Sequence, residues 1–327
     1  MIDIIITSYN EPQSTLGVVK AFLNQAKGRK DIRITVVDPF PEVKKFLKKH
    51  VKDKRFVFFL DPGEGKAYAL NLLFQEYASQ DTNDLFILTD GDVIISKSII
   101  KSIETAFEEQ NLGCITGKPV PLDDPNTKYG WWAHLAFRGI DRARQELFRK
   151  RKFFECSGYL FAIRKGVITD FPLETSEDSI IPYLFWKKGF STGYVPEAEV
   201  SVKNPSNWKD WLAQKIRNIK AHENLNKIAP DLPRTKSFFN EVKWGIFFAI
   251  RQPRTLKQLW WTIELYFARL YLYYKAFKEL RKKQAYQDGW RGQATTESTK
   301  IDVILKTTEK SSTPSESLPQ VPPENSQ

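Results

Sequence analysis

The sequence predicts an α/β chain: a mostly parallel, Rossmann-like sheet flanked by helices, with a C-terminal amphipathic helical extension. Three observations predict it. Short β-rich runs alternate with longer stretches of helical period through the N-terminal half, the pattern of βαβ units. Polar and acidic residues recur just after those runs, where an open parallel sheet binds its ligands. Beyond residue 238 the composition turns aromatic and basic, and after Gly292 it turns to Thr, Ser, Pro, Glu and Gln.

In chain order, "DIIIT" precedes a helical stretch at residues 14–26, "IRITVV" one at 42–51 and "RFVFFL" one at 66–78. "LFILT" continues the alternation ahead of a helix at 96–109, which Ser96 or Ser98 can cap. The pattern then loosens: "GCITGKPV" reads as a strand, 129–152 as a long helix and "GYLFAIR" as a strand. A helix at 176–188 opens on an acidic cluster, and another occupies 208–225. Further on, Leu256, Trp260, Ile263, Phe267, Leu270, Tyr274 and Phe277 recur at alternating spacings of four and three, which sets them on one helical face. Lys257, Glu264, Lys275 and Lys278 take the other side. Such a helix either packs on the main domain or lies at a membrane interface. The basic excess of Arg251, Arg254, Arg269, Arg281, Lys282 and Lys283 favours an anionic surface. The expected organisation is a main α/β domain at 1–230, an aromatic and basic amphipathic region at 231–291 and a disordered tail at 292–327.

Composition bounds the function. Of 327 residues, 41% are hydrophobic and 27% charged, the shares of a globular chain, which argues against wholesale disorder and multi-span membrane classes. A formal charge of +11 implies attraction to something anionic, whether nucleic acid, phospholipid or a phosphorylated small molecule. Cys114 and Cys156 are not spaced as CxxC, and His50, His134 and His222 form no HxH or HExxH pattern, so a zinc site or disulfide framework is not expected. Asp3 stands where a signal peptide carries positive charge, and no window reaches the roughly 20 apolar residues that span a bilayer. The expected location is cytoplasmic, with peripheral attachment at the inner face of the cell membrane as a further expectation.

Polar groups after successive strands are the candidates for chemistry: "TSYNE" (Thr7, Tyr9, Glu11), Asp38, "DPGEGK" with Lys66, and Asp90 with Asp92. The loop around Gly63, Gly65 and Lys66 has Leu60 and Ala67 where a Walker A loop needs Gly and Ser or Thr, and no GxGxxG follows the first strand. Two carboxylates one residue apart repel one another unless a cation sits beside them. Oxygen-only ligation suits Mg²⁺ or Mn²⁺, which completes its shell with waters and substrate phosphates. An isolated "DGD" is more often a plain turn. Glu177 and Asp178 open a helix, where the macrodipole favours carboxylates and Ser176 can cap, yet an Asp there can also serve as a general base. Gln214 and Arg217, three apart in "QKIRN", share a helical face that either is simply solvated or addresses one ligand. Trp131, Trp132 and Trp208 either stack on sugar rings or fill the core, the commoner fate of aromatic residues. Buried cysteine is usually packing, so Cys156 is assigned no catalytic role.

Taken in order, "TSYNE", Asp38, "GKAYALN", "TDGD", "CSG", "SED" and "QKIRN" resemble the inverting glycosyltransferases of family 2, with the GT-A fold, over roughly residues 2–226. The resemblance implies a hexosyltransferase-class enzyme that moves a sugar from a nucleotide-diphosphate donor, most often a UDP-sugar, to a hydroxyl of a glycan or lipid-linked acceptor. By position it implies donor binding by Thr7, Tyr9, Glu11, Asp38, Lys66, Asn71 and Asp90. It likewise implies Mg²⁺ or Mn²⁺ on Asp92 and Asp90, Asp178 as the catalytic base, and Glu177, Gln214 and Arg217 on the acceptor or diphosphate. The family's QxxRW ends in Asn218 here, which puts processive polymerisation in doubt. The alternatives are a nucleotidyltransferase acting on a sugar phosphate and a non-catalytic basic membrane-binding module; nucleic acid is not an expected partner.

Overall fold

The chain, seen in a computed structural model, is described over residues 1–232, 245 and 248–281. The expectation for 292–327, and part of that for 231–291, lies outside the described residues. One eight-stranded sheet organises the rest, in the order β3-β2-β1-β4-β7-β6-β8-β5. Strands β1 (Ile2–Thr7), β2 (Ile32–Asp38), β3 (Phe56–Leu60) and β4 (Leu85–Asp90) are mutually parallel. Strand β7 (Leu160–Arg164) runs antiparallel between β4 and β6 (Leu112–Pro121). The long β8 (Ser191–Val202) runs parallel to β6, and the short β5 (Val93–Ile95) closes that edge.

All six residues of β1 are buried, because helices cover both faces of a parallel sheet. Alternation divides them between two layers. Ile4 and Ile6 join Val18, Val19 and Phe22 of α1 (Pro12–Gln25) and Leu47 of α2 (Pro41–His50). Ile5 faces the other way, with Leu70, Leu73 and Phe74 of α3 (Lys66–Glu76) and Ile180 and Phe185 of α6 (Glu177–Lys187). Pro12 and Pro41 sit in the first turns of α1 and α2, where a missing N–H costs nothing, so both helices start earlier than their apolar period indicates.

Helix α4 (Ile99–Ala106) is shorter than expected: Val93 to Ile95 pair with β8, and Ser96 N still donates to Glu199 O of that strand at 3.0 Å, so the helix starts later. Neither β5 nor β8 is legible in the sequence. In β8 the register jumps between the Gly117–Val195 and Lys118–Glu199 pairs, and Pro196 falls within that irregularity. Proline is confined to such breaks, and it also disguises the strand.

A third core joins α5 (Lys128–Arg149), α7 (Trp208–Ile228) and α8 (Leu256–Arg281) through Trp131, Trp132, Trp211, Leu212, Leu265 and Leu272. Trp131 Nε1 donates to Thr262 Oγ1 at 2.9 Å and Trp132 Nε1 to Trp261 O at 2.7 Å. These two indoles are therefore core residues that fasten α8, which settles the choice left open for them. Helix α8 packs on the main domain, but through Leu265, Ala268, Leu272 and Ala276, not through the aromatic stripe singled out in the sequence.

Candidate active site

Strand β1 lies between β2 and β4, so successive connections leave it in opposite directions; this is the switch point of the sheet, and its carboxyl ends open a crevice there. Thr7 ends β1 and is paired in register with Asp90, which ends β4. Its Oγ1 donates to Asp90 Oδ1 at 3.0 Å, fixing the carboxylate at the sheet edge. The chain then turns through Gly91, whose N–H donates to Thr7 O at 2.7 Å. A Cβ at Gly91 would stand 2.7 Å from Thr15 Oγ1 and 3.3 Å from Thr7 O, so the tight crossing from Asp90 to Asp92 admits only glycine without displacement.

Lys66 opens α3 directly after Gly65, whose φ of 116° is accessible to glycine and strained for other residues. Its Nζ lies 2.8 Å from Asp90 Oδ1 and 2.6 Å from Glu177 Oε1, joining the end of β4 to the start of α6. Burial opposes the Lys66 charge, but the two carboxylates outweigh it and hold the ammonium firmly protonated. Asp178 is oriented from two sides: Gly158 N–H donates to its Oδ2 at 3.1 Å and the Ser176 hydroxyl donates to its Oδ1. Ser176 thus occupies the N-cap position of α6 but spends its hydroxyl on Asp178, not on the helix backbone. The Asp178 carbonyl also accepts from Cys156 N at 2.9 Å. Beneath that segment the buried Arg144 donates through Nη2 to Cys156 O at 2.9 Å.

The electrostatics of this cluster are unbalanced. Burial, and then the neighbouring charge of Asp90, push Asp92 up to about 7. Burial also raises Glu177, with Lys66 opposing and Asp178 adding to the rise. The Tyr159 phenol is raised chiefly by burial, and also by Asp92 and Asp90, with Arg217 pulling the other way. Tyr159 therefore senses the carboxyl pair, Asp178 and Arg217 together, and it keeps its proton as a donor. Sequence reasoning quoted Gly158 within "CSG" without giving it a role and missed Tyr159 and Arg144; Tyr159 directly follows that motif, while nothing marks Arg144 among the arginines of a long helix.

The remaining candidates take distinct places. Asp38 ends β2 and accepts from Asn10 N at 3.0 Å and Phe40 N at 2.8 Å, which ties the loops after β1 and β2 together. Desolvation raises its pKa while these donors oppose the rise. Tyr9 meets Phe40 edge to face, with centroids 5.1 Å apart, and Glu11 is buried at the start of α1. Asn71 is engaged elsewhere: its amide donates to Phe171 O at 2.8 Å and accepts from Phe171 N at 3.1 Å, anchoring the loop ahead of α6 to α3. Gln214 is half-buried and Arg217 exposed on α7. Both lie opposite the Leu212 and Ile216 positions that face the third core.

A divalent metal fits these groups on a particular condition. Among the described residues no cluster of three or more His, Cys, Asp or Glu forms a ready-made cage. Asp92 and Asp90 instead offer one or two carboxylates, the usual protein share for Mg²⁺, with waters and substrate phosphates completing the shell. Burial and then the Asp90 charge raise the pKa of Asp92, and a cation beside the pair would favour its charged form.

Comparison with known proteins gives these features a context. The pattern of the family described as "Glycosyltransferase like family 2" matches residues 2–221, which contain every candidate residue named above. The chain is 27% identical over 237 residues to an N-acetylglucosaminyltransferase of Azorhizobium caulinodans, a match covering 66% of this chain and 58% of the relative. It is 23% identical over 239 residues to an N-acetylglucosaminyltransferase of Rhizobium meliloti, covering 66% of this chain and 54% of that one. The match thus spans little more than half the length of either relative. Among solved structures, the mannosyltransferase PcManGT from Pyrobaculum calidifontis, in complex with GDP-Man and Mn²⁺, has a TM-score of 0.55 at 13% identity, covering 94% of this chain and 79% of the other. The family match over most of the chain, together with the sheet order and its likeness to that structure, makes this protein a member of glycosyltransferase-like family 2 built on the GT-A fold.

Proposed function

We propose that the chain transfers a sugar, with inversion, from a nucleotide-diphosphate donor to an acceptor hydroxyl. The single observation that carries the reading is the gathering of Asp90, Asp92 and Glu177 around Lys66, with Asp178 beside Glu177, at the switch point of the sheet. The donor is a UDP-sugar, with N-acetylglucosamine the first sugar to test because both curated relatives are N-acetylglucosaminyltransferases. The acceptor is a glycan or a lipid-linked saccharide.

In this reading the loops after β1 and β2, with Thr7, Tyr9, Glu11 and Asp38, hold the nucleoside. Lys66 exchanges its carboxylate partners for diphosphate oxygens, to which an ammonium is suited as a point charge. Asp92, with Asp90 beside it, would hold Mg²⁺ or Mn²⁺, which when bound neutralises charge on the departing diphosphate. Asp178 takes the proton of the acceptor hydroxyl as its oxygen bonds to the anomeric carbon. The bond from that carbon to the phosphate oxygen breaks, and its electron pair leaves with the nucleoside diphosphate. Attack opposite the leaving group inverts the centre. Hydrogen bonds to both Asp178 oxygens support this role by fixing where the base points. Gln214 and Arg217 are assigned to the acceptor or the diphosphate.

A donor screen tests the reading by nucleoside diphosphate release, with UDP-N-acetylglucosamine, other UDP-sugars and GDP-mannose supplied with Mn²⁺ or Mg²⁺. Acceptor-dependent release from one donor is expected. Pyrophosphate release from a nucleoside triphosphate and a sugar phosphate, with no turnover of any nucleotide sugar, would replace the reading with nucleotidyl transfer.

A further inference from the structure

The two sides of α8 have different chemistry. Its inner side is centred on Leu265, Ala268, Leu272 and Ala276, with Trp261 and Tyr266 at its margin and Leu272 only 2% exposed in the core of Trp131, Trp132 and Trp211. Both of its acidic residues turn inward: Glu264 pairs with Lys128 at 3.5 Å and Glu279 with Lys220 at 2.8 Å. The outer side carries Trp260, Ile263, Phe267, Leu270 and Tyr274, of which Trp260 is 60% exposed, Phe267 68% and Tyr274 65%. Among the described residues nothing covers this stripe. It follows more than half the length of a helix about 39 Å long, and soluble monomers rarely expose a contiguous apolar surface of that size. Arg251, Arg254, Lys257 and Lys278 are exposed beside it or just ahead of it.

We infer that the outer side of α8 is a docking surface for an anionic phospholipid bilayer, on which the helix lies in the plane of the headgroups. Three features select lipid as the occupant. With both carboxylates drawn inward, the outward charge is positive, complementary to anionic headgroups. Trp and Tyr carry a polar edge on an apolar ring, which suits the headgroup boundary better than a dry protein core. A second copy would bring the same cationic rim against itself, in a chain already at +11. No helix among the described residues is long and apolar enough to cross a membrane, so α8 lies on the bilayer and does not span it. The inner side of α8 packs on α7, whose far face bears Gln214 and Arg217. A docked α8 therefore sets the height of that helix above the lipid, whichever sugar is transferred.

The test is flotation of the full chain with vesicles of phosphatidylglycerol and phosphatidylcholine, compared with phosphatidylcholine alone. Two variant sets accompany it: Trp260→Ser with Phe267→Ser and Tyr274→Ser, and Arg254→Glu with Lys257→Glu and Lys278→Glu. The native chain should float with the anionic vesicles, and each set should lower its partition by about tenfold or more. All six positions are exposed, so circular dichroism should find both sets folded; if the serine set unfolds, the charge-reversal set still decides. The inference is overturned if the native chain ignores anionic vesicles or binds both vesicle types equally. It is also overturned if a folded variant set binds like the native chain, or if light scattering finds a dimer that the serine set disperses.

Discussion

The two ends of strand β1 handle buried charge in opposite ways. At its start Asp3 is fully buried and meets two cations, Lys165 and Arg33. Lys165 also donates to Tyr77 O at 3.2 Å and lies 4.6 Å from the centre of the Phe86 ring, so its burial is well compensated. At its end Thr7 holds Asp90 in a group of four carboxyl groups in which Lys66 bonds two of them. Burying a charge is tolerable when it is paired, so the first end is finished as folded. The second has more carboxyl groups than cations, a shortage that an added divalent cation would relieve. Charge imbalance, more than the presence of charge, separates the proposed functional end of the sheet from the structural one.

The largest expected effect lies at the unbalanced end. Asp178→Asn should lower transfer by up to about 10⁴-fold while nucleoside diphosphate affinity and melting temperature stay close to native; steady-state rates with a direct binding assay check this. At the balanced end the loss should appear in stability. Asp3→Ala leaves Lys165 buried without its carboxylate and should cost about 3–5 kcal/mol in chemical denaturation, with nucleotide affinity per folded molecule unchanged. Gly91→Ala comes next: forcing a Cβ against Thr15 and the Thr7 carbonyl should cost about 1–3 kcal/mol, and it should weaken donor binding because Asp90 and Asp92 move with the turn.

The remaining effect depends on pH and tests the imbalance itself. The fold holds the Asp92 proton up to about 7 against an ordinary value of 3.8, so its charged form costs stability. That cost is absent below about pH 4 and complete above about pH 7. Asp92→Asn should therefore leave the metal-free protein no more stable at pH 4 and more stable at pH 8, by up to about 4 kcal/mol. Equal shifts at both pH values would mean that Asp92 is not short of positive charge.

Much of this contrast is legible in the sequence, because strand ends and helix starts are marked locally. "LFILTDGD" announces a buried strand that ends in carboxylates, and "SED" a helix opening on an acidic pair. What stays illegible depends on contacts between segments far apart along the chain. The pairing of Lys66 with Glu177, and of Gly158 with Asp178, joins segments that only the sheet order brings together. Asn71 sits in the same "GKAYALN" segment as Lys66, yet α3 turns it toward Phe171. The stripe on α8 is visible as a period, but a period cannot say which side of a helix meets the core. Leu265, Ala268, Leu272 and Ala276 form the packing side, flanked by Trp261 and Tyr266, while Trp260, Phe267 and Tyr274 are exposed, more apolar surface than a soluble helix ordinarily leaves outside.

The most direct measurement of the central claim is calorimetric titration of UDP into the native chain and into Asp92→Asn, each with and without Mn²⁺. If the carboxylate-rich end of the sheet is a diphosphate site completed by a cation, Mn²⁺ should tighten UDP binding to the native chain by about tenfold or more and should do little for Asp92→Asn. UDP binding that is indifferent to Mn²⁺, or that is enhanced equally in both proteins, would contradict the account.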